Sequence, residues 1–194
     1  MNKKVLVFSA IIALMLVSAC SKTDTKLTKI ENVSKIASKV GSFNVTSDSV
    51  NEEGKLKTAC CATVAAPKGE NLIPHIKWDK VDGANSYAIY IYDTDAMEFI
   101  HLKVTDVSDT EIEEGVIRDE HIYIGPCPPS DTHRYQIVVY ALKESVLLVE
   151  GEIGKGADID AIESALDKNL DGETGNVVAV GTKNFTVTYN ERVD

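Results

Sequence analysis

Apolar residues after position 41 recur mainly with the period of a β-strand, and a helical period occurs only near the C-terminus. Residues 86–92 form the strongest strand candidate, because nearly continuous aromatic and β-branched residues are typical of a strand covered on both faces. Alternating or short apolar runs predict further strands at residues 43–47, 75–78, 99–107 and 136–142. The chain is therefore predicted to be mostly β.

One late segment has helical spacing. Apolar residues recur three and four positions apart between residues 158 and 170, and either Asp158 or Asp160 can serve as the N-cap. Gly172 and Gly175 are expected to end this helix. Residues 177–180 and 185–189 then predict a closing hairpin, and the sequence contains no internal repeat.

The first twenty residues are typical of a bacterial lipoprotein signal. Lys3 and Lys4 precede an uncharged run at residues 5–17, which is shorter than the roughly 20 residues of a membrane span. The run ends in Val-Ser-Ala-Cys, which resembles a lipobox whose thiol, on Cys20, takes a diacylglycerol. The alternative is an ordinary signal peptide cleaved near Ala19, with Cys20 incidental.

The sequence thus predicts a lipoprotein signal peptide at residues 1–19 and an acylated Cys20 with a flexible tether at residues 20–40. A short amphipathic helix around residues 30–40 is an alternative for the end of the tether. One folded domain is expected at residues 41–194. Acyl chains stabilise membrane attachment by about 0.8 kcal/mol per buried CH₂ group, so we expect an exported protein anchored on the extracytoplasmic side.

The charge excludes one class of partner. The formal net charge is −10, and removal of Lys3 and Lys4 with the signal peptide leaves 18 basic against 30 acidic residues, or −12. Such a surface repels nucleic acid and anionic membrane faces. An anion that this protein binds must therefore be held by a local arrangement of groups.

Three cysteines remain once Cys20 is acylated: Cys60, Cys61 and Cys127. Since the number is odd, at least one thiol stays free or pairs elsewhere, and a bridge from Cys127 to either of the others is open. No second Cys or His pair stands at zinc-finger spacing, so neither a metal nor a cofactor is expected.

Four polar segments carry the candidate chemistry. They contain Asn71, Pro74 and Trp78; then Asp93, Asp95 and Ala96; then His101; and finally Gly125, Pro126, Cys127, Pro128, Pro129, His133, Arg134 and Tyr135. Their order and spacing, over roughly residues 43–170, resemble the phosphatidylethanolamine-binding protein family, including its bacterial branch and the Raf kinase inhibitor proteins. The Gly-Pro-Cys-Pro-Pro run with its downstream His-Arg-Tyr is the most specific part. Thr94 and Met97 replace two prolines of the family pattern, and Leu102 replaces an aromatic residue.

The resemblance implies a β-sandwich with Greek-key connections and a small anion-binding pocket at one end. The residues that it assigns to ligand binding are Asp93, Asp95, His101, Gly125, Pro126, Cys127, His133 and Tyr135. A phospholipid head group or a phosphorylated small molecule is the implied ligand.

Physical chemistry fits these residue types to that role. His101 and His133 can donate hydrogen bonds to phosphate oxygens, and Tyr135 shares a strand face with His133. The proline-rich segment can form a rigid rim. Asp93 and Asp95 share a face by the same alternation. Since carboxylates repel phosphate, we expect them to orient a histidine or the loop backbone, or to receive an ammonium group.

The expected function is therefore non-catalytic binding of a small anionic or zwitterionic ligand. An enzyme would need Ser130 or Cys127 as nucleophile with His133 as base, but the sequence has no nucleophile elbow and no third group placed to orient the base. The alternative is an inhibitor or regulator of an extracytoplasmic protease or envelope protein, acting through a pocket rim that includes Met97 and Phe99.

Overall fold

The structure, a computed structural model, describes residues 31–116, 122–146 and 149–194. The predicted signal peptide, the predicted acylation of Cys20 and the predicted tether up to residue 30 lie outside these residues. Within the described ranges the chain forms one α-helix, α1 (Ile159–Leu166), two single-turn 3₁₀ helices and seven strands. The strands are β1 (Gly41–Thr46), β2 (Ile76–Trp78), β3 (Ser86–Asp93), β4 (Phe99–Val107), β5 (Glu111–Ile112), β6 (Thr132–Leu142) and β7 (Val177–Thr188).

The strands hydrogen-bond in the order β4-β3-β6-β7-β1-β2-β5. All neighbours are antiparallel except β1 and β7, which are parallel. β3 and β6 lie side by side, and their pairing runs from Ser86 opposite Leu142 to Asp93 opposite Tyr135. The mostly β fold class is confirmed, whereas the sandwich arrangement and the Greek-key connections remain predictions.

β3 is buried along its whole length. Its odd-numbered residues Tyr87, Ile89 and Ile91 belong to a core that also contains Trp78. Its even-numbered aromatic residues, including Tyr90, pack on the opposite face against α1. The prediction of a strand covered on both faces is therefore confirmed.

α1 begins where the sequence predicts and ends earlier. The Asp158 carboxylate accepts a hydrogen bond of 3.0 Å from Ala161 N, which makes Asp158 the N-cap. After Leu166 the Asn169 side chain accepts hydrogen bonds from the backbone N–H groups of Asp171 and Glu173, and this turn replaces another helical turn. Leu170, predicted to lie on the buried face, is 65% exposed.

The predicted C-terminal hairpin is wrong. Residues 177–188 form one continuous strand, β7, that pairs along β6. Gly181 lies in the middle of β7, where an added Cβ would come within 2.6 Å of Val45 Cγ2 and 2.7 Å of Phe43 Cε2. This glycine permits close packing against β1 and makes no turn.

Residues 33–36, which the sequence assigns to the tether, pack on the domain. Val33 N donates to Gln136 Oε1 at 2.9 Å, and Ile36 N donates to Glu163 Oε2 at 2.9 Å. Ser34 Oγ donates to the other Glu163 oxygen at 2.6 Å. The folded unit thus includes these residues, and a 3₁₀ turn at Ile36–Ser38 stands in place of the amphipathic helix. Among the described residues, no helix is long and apolar enough to cross a bilayer.

Candidate functional site

Two strand ends bring an acid and an imidazole together. Asp93 is the last residue of β3 and pairs with Tyr135 of β6, and His133, two residues before Tyr135 in β6, lies on the same face as Tyr135. Asp93 Oδ2 and His133 Nδ1 are 2.7 Å apart. A carboxylate can only accept here, so the ring donates through Nδ1 and its Nε2 atom has no bond to Asp93.

A β-bulge adds the second imidazole. Leu102 pairs with Ile91 while Ile100 pairs with Tyr92, which leaves His101 as the extra residue of β4. The His101 side chain is directed towards Tyr135, and the two ring centroids are 5.3 Å apart. Without the bulge, alternation along β4 would place this side chain on the other face of the sheet.

His101 has a defined hydrogen-bonding state. Its Nδ1 atom lies 2.7 Å from the Ile124 carbonyl oxygen, which can only accept, so Nδ1 carries the hydrogen. The residue is 5% exposed, and burial lowers the pKa of His101 below its ordinary value. The imidazole is therefore neutral near pH 7, with a lone pair on Nε2.

The proline-rich segment is held against residues 60–62. Ala62 N donates to the Pro126 carbonyl at 3.0 Å, and Gly125 N donates to Asn71 Oδ1 at 2.7 Å. An added Cβ on Gly125 would meet backbone atoms at 2.5–2.6 Å, so only glycine fits this contact. Three of the five residues from 125 to 129 are prolines without an N–H, and the Cys127 N–H has no hydrogen-bond partner among the described residues.

These elements enclose a cavity of about 250 Å³. Of the predicted ligand-binding residues, Asp93, His101, Gly125, Cys127, His133 and Tyr135 line it, whereas Asp95 and Pro126 do not. The remaining lining is mostly apolar and consists of Ala62, Val64, Ala96, Phe99, Ile124, Pro128 and Pro129.

Asp95 faces away from the cavity because β3 ends at Asp93 and strand alternation does not continue into the turn. Its carboxylate pairs with the Arg134 guanidinium and accepts a hydrogen bond of 2.8 Å from Arg134 N. Its own backbone N–H donates to Asp93 Oδ1 at 2.9 Å. The hydrogen bonds from Arg134 hold the pKa of Asp95 below its usual range. Asp93 thus orients a histidine, and Asp95 fixes the loop to β6.

Tyr135 has a buried hydroxyl that makes no hydrogen bond of standard geometry among the described residues, although the Asp93 carboxylate lies near it. Its ring is stacked on Phe185, with centroids 5.1 Å apart, and lies 6.4 Å from the His133 ring. Burial and the nearby Asp93 charge raise the pKa of Tyr135, so the hydroxyl keeps its hydrogen. Since an unpaired buried hydroxyl costs about 1–3 kcal/mol, it is a donor that a ligand in the cavity can satisfy.

The family comparison agrees with this geometry. The model of the family described as phosphatidylethanolamine-binding protein matches residues 46–179, well over half of the chain. The chain belongs to the phosphatidylethanolamine-binding protein family. A relative called UPF0098 protein, from Methanothermobacter thermautotrophicus, is 30% identical over 141 residues, which cover 62% of this chain and 89% of the relative.

Two solved structures share the phosphatidylethanolamine-binding protein fold with this chain. One is a phosphatidylethanolamine-binding protein homologue from Chlamydia trachomatis, with a TM-score of 0.55 and 20% identity, covering 76% of this chain and 97% of that one. The other is E. coli YbcL, described as a member of the mammalian family, with a TM-score of 0.56 and 21% identity, covering 76% and 99%.

One departure from the family pattern has a conformational basis. Met97, at a position where the pattern has proline, has a φ of +54°, and the following Glu98 has a φ of +49°. Proline cannot adopt a positive φ, so this turn and the family's proline exclude each other. The turn leaves the Met97 side chain 81% exposed beside the cavity residue Ala96.

The apolar lining is the part of the site that sequence reasoning missed. Ala62 and Val64 belong to an irregular segment about 30 residues before Asp93, and no pattern links them to it. Asn71 matched the family pattern but was not assigned to the site. Its role in holding Gly125 could have been suspected from that match.

The described thiols are free: Cys60 and Cys61 are buried, and Cys127 is exposed. Burial raises the pKa of Cys60 to about 12 and that of Cys61 to about 11, so both thiols stay protonated near neutral pH. Ser130, the other nucleophile considered from the sequence, does not line the cavity.

A second cluster of possible metal ligands, His75, Glu111 and Glu113, lies away from this cavity. Asp48 N donates to His75 Nδ1 at 2.9 Å, so neutral His75 carries its hydrogen on Nε2 and donates it to Glu111 Oε1, also at 2.9 Å. The nitrogen that faces the carboxylates is therefore occupied by a proton. We interpret His75 as a buried packing residue that links β2 to β5.

Proposed function

We propose that this protein binds, without turnover, a small anionic or zwitterionic ligand such as a phospholipid head group or a phosphorylated small molecule. The observation that carries the proposal is the pairing of Asp93 with His133 opposite His101 across one cavity. At about 250 Å³, the cavity suits a head group or a small phosphorylated metabolite and is too small for a complete lipid.

Selectivity in this pocket depends on the arrangement of its hydrogen-bonding groups and not on the net charge of the protein. The chain has a net charge of −10, and the nearby cation Arg134 is committed to Asp95. Attraction for an oxyanion must therefore come from local groups: the Cys127 N–H, the Tyr135 hydroxyl and the His133 ring. Asp93 fixes the orientation of the His133 ring through its hydrogen bond to Nδ1.

The same residues argue for binding over catalysis. The Nδ1 atom of each imidazole is committed to Asp93 or to the Ile124 carbonyl, and both cysteines of the 60–61 pair have raised pKa values. A nucleophile activated by a neighbouring base would need a low pKa or a hydrogen bond to that base. The thiol of Cys127, which lines the cavity, has no hydrogen bond to either histidine among the described contacts.

A second candidate function is inhibition or regulation of an extracytoplasmic protease or envelope protein. Val64, which lines the cavity, is 82% exposed, and Met97, which follows the lining residue Ala96, is 81% exposed. Large exposed apolar side chains beside a pocket are typical of a surface that contacts another protein. This observation supports a partner that covers the cavity.

We also propose that the protein is exported and anchored through an acylated Cys20. The basic start, the short apolar run and the Val-Ser-Ala-Cys sequence support this proposal. The ligand would then be met on the extracytoplasmic side of a membrane.

Equilibrium dialysis of the purified full chain against radiolabelled inorganic phosphate tests the proposed function. We expect saturable retention of one phosphate per chain, displaced by unlabelled phosphoethanolamine, with the phosphoethanolamine recovered intact. Retention that does not saturate, or release of free phosphate from phosphoethanolamine, would contradict a non-catalytic binding site.

A further inference from the structure

We propose that His101 acts as a hydrogen-bond acceptor in the cavity and thereby selects oxyanions that carry a hydrogen. This inference rests on the proposed function and narrows its ligand class. Free phosphate and phosphate monoesters should bind in preference to sulfate and phosphate diesters. Of the ligands proposed above, a phosphorylated small molecule is thus favoured over the head group of an intact phospholipid, whose phosphate is a diester.

The geometry fixes which nitrogen of His101 carries the hydrogen. The Ile124 carbonyl, 2.7 Å from Nδ1, has no hydrogen to give, so Nδ1 must donate in every protonation state. In the neutral ring Nε2 therefore bears a lone pair. His101 lines the cavity, and among the described residues Nε2 has no hydrogen-bond partner, so a ligand is the group that can supply one.

The surroundings keep His101 neutral. The residue is 5% exposed, and desolvation, which has the largest effect on the pKa of His101, lowers that pKa. The titratable groups that face it are Asp93 of β3 and His133 of β6, whose charges act in opposite directions, together with the hydroxyl of Tyr135. Cys127 lines the same cavity from the proline-rich segment.

Ligand chemistry then separates two groups of oxyanions. Phosphate and its monoesters lose their second proton near pH 6, so a hydrogen-bearing form is available close to neutral pH. Sulfate and phosphate diesters carry no hydrogen in this range. Their oxygens would face the Nε2 lone pair and leave both acceptors unsatisfied, which should weaken binding by about tenfold or more.

Isothermal titration calorimetry of the full chain at pH 7.0 with methyl phosphate and dimethyl phosphate tests this inference. The methyl phosphate monoanion carries a hydrogen where dimethyl phosphate carries a second methyl group; most free methyl phosphate is the dianion at pH 7.0, so it must take up a proton to bind through this contact. We expect dimethyl phosphate to bind at least about tenfold more weakly than methyl phosphate. Sulfate should likewise bind at least about tenfold more weakly than inorganic phosphate. Equal affinities within either pair would overturn the inference and leave the proposed function standing. Absence of binding by all four ligands would overturn both.

His101→Gln is the diagnostic variant, because an amide NH₂ at the position of Nε2 donates a hydrogen bond to any oxyanion. We expect the ratio of phosphate to sulfate affinity to fall towards one in His101→Gln. A ratio unchanged from that of the unaltered protein would contradict the role of Nε2. If the variant does not fold, ¹⁵N NMR of the unaltered protein decides the matter: an Nε2 resonance of the protonated type at pH 7.0 would exclude an acceptor there.

Discussion

Asp93 Oδ2 accepts a hydrogen bond of 2.7 Å from His133 Nδ1, which joins the ends of β3 and β6 at the floor of the candidate pocket. Asp93 is 4% exposed, so its negative charge is poorly hydrated and depends on its hydrogen bonds. The second of these comes from Asp95 N. These two hydrogen bonds hold the Asp93 carboxylate beside His133, where an anion in the pocket would bind.

Asp93→Asn should therefore weaken phosphate binding. The asparagine oxygen can still accept from His133, but charge-assisted hydrogen bonds are roughly twice as strong as neutral ones, and the imidazolium form loses its counter-charge. We expect about tenfold lower phosphate affinity by calorimetry. Asp95→Asn is the matched control, since this carboxylate pairs with Arg134 outside the cavity. Its phosphate affinity should stay within about twofold, and an equal loss in both variants would contradict the separate roles.

Stability should depend on pH through His101. Because burial lowers the pKa of His101 in the folded protein, the unfolded chain binds a proton on this residue at pH values where the folded protein does not. The contribution is fully present above the ordinary value of 6.5 and is lost as pH falls from there through the folded pKa. The carboxylates with lowered pKa values, including Asp95 and Glu111, lose their contributions at lower pH.

The measurement is the free energy of unfolding in urea at pH 7 and pH 5 for the unaltered protein and for His101→Gln. We expect the unaltered protein to lose more stability over this interval than the variant, which has no imidazole at position 101. An identical loss in both proteins would show that His101 titrates alike in the folded and unfolded chains.

Gly125→Ala should damage the rim of the pocket. The added methyl would lie 2.5 Å from Ala62 N and 2.6 Å from the Cys60 carbonyl oxygen, and backbone atoms cannot move aside as a side-chain end can. Overpacking of this kind costs about 1–3 kcal/mol, measurable as a lower urea midpoint with weaker phosphate binding. Gly172→Asn provides the control: Gly172 has open space around it and a φ of +84°, which asparagine tolerates, so the loss should be under about 1 kcal/mol.

β3 and β6, the strands that build the pocket, could be predicted because their own residue types indicate a buried strand. The β-branched and aromatic runs of β3 and β6 fit only a strand buried on both faces, and alternation correctly places His133 beside Tyr135. The position of His101 was predicted from the family pattern alone. The orientation of its side chain depends on a β-bulge. The bulge arises from the way β4 pairs with β3, which cannot be predicted from the residues around His101.

The failures have a common cause in long-range packing. Gly181 is typical of a turn in sequence, yet it lies in a strand because Phe43 and Val45 need the space. Asp95 was placed in the pocket by an alternation that stops at Asp93. In both cases the observed structure depends on residues more than 30 positions away. Phe43 and Val45 on β1 determine the packing at Gly181, and Arg134 on β6 determines the orientation of Asp95.

Attachment to the membrane has its own test. Cys20→Ser removes the thiol that would be acylated, so the protein should move from the membrane fraction to the soluble fraction when cells are lysed and fractionated. The unaltered protein should stay with membranes through a high-salt wash, because acyl chains and not charges hold it. Persistent membrane association of Cys20→Ser would contradict acylation at this residue.

The most direct test of the pocket is calorimetric titration of the full chain and of His133→Ala with inorganic phosphate. The account predicts one binding site per chain in the unaltered protein and no detectable phosphate binding in the variant, which should fold with a lowered melting temperature because the buried Asp93 loses one of its two hydrogen bonds. Unaltered phosphate affinity in a folded His133→Ala protein would contradict the assignment of the site.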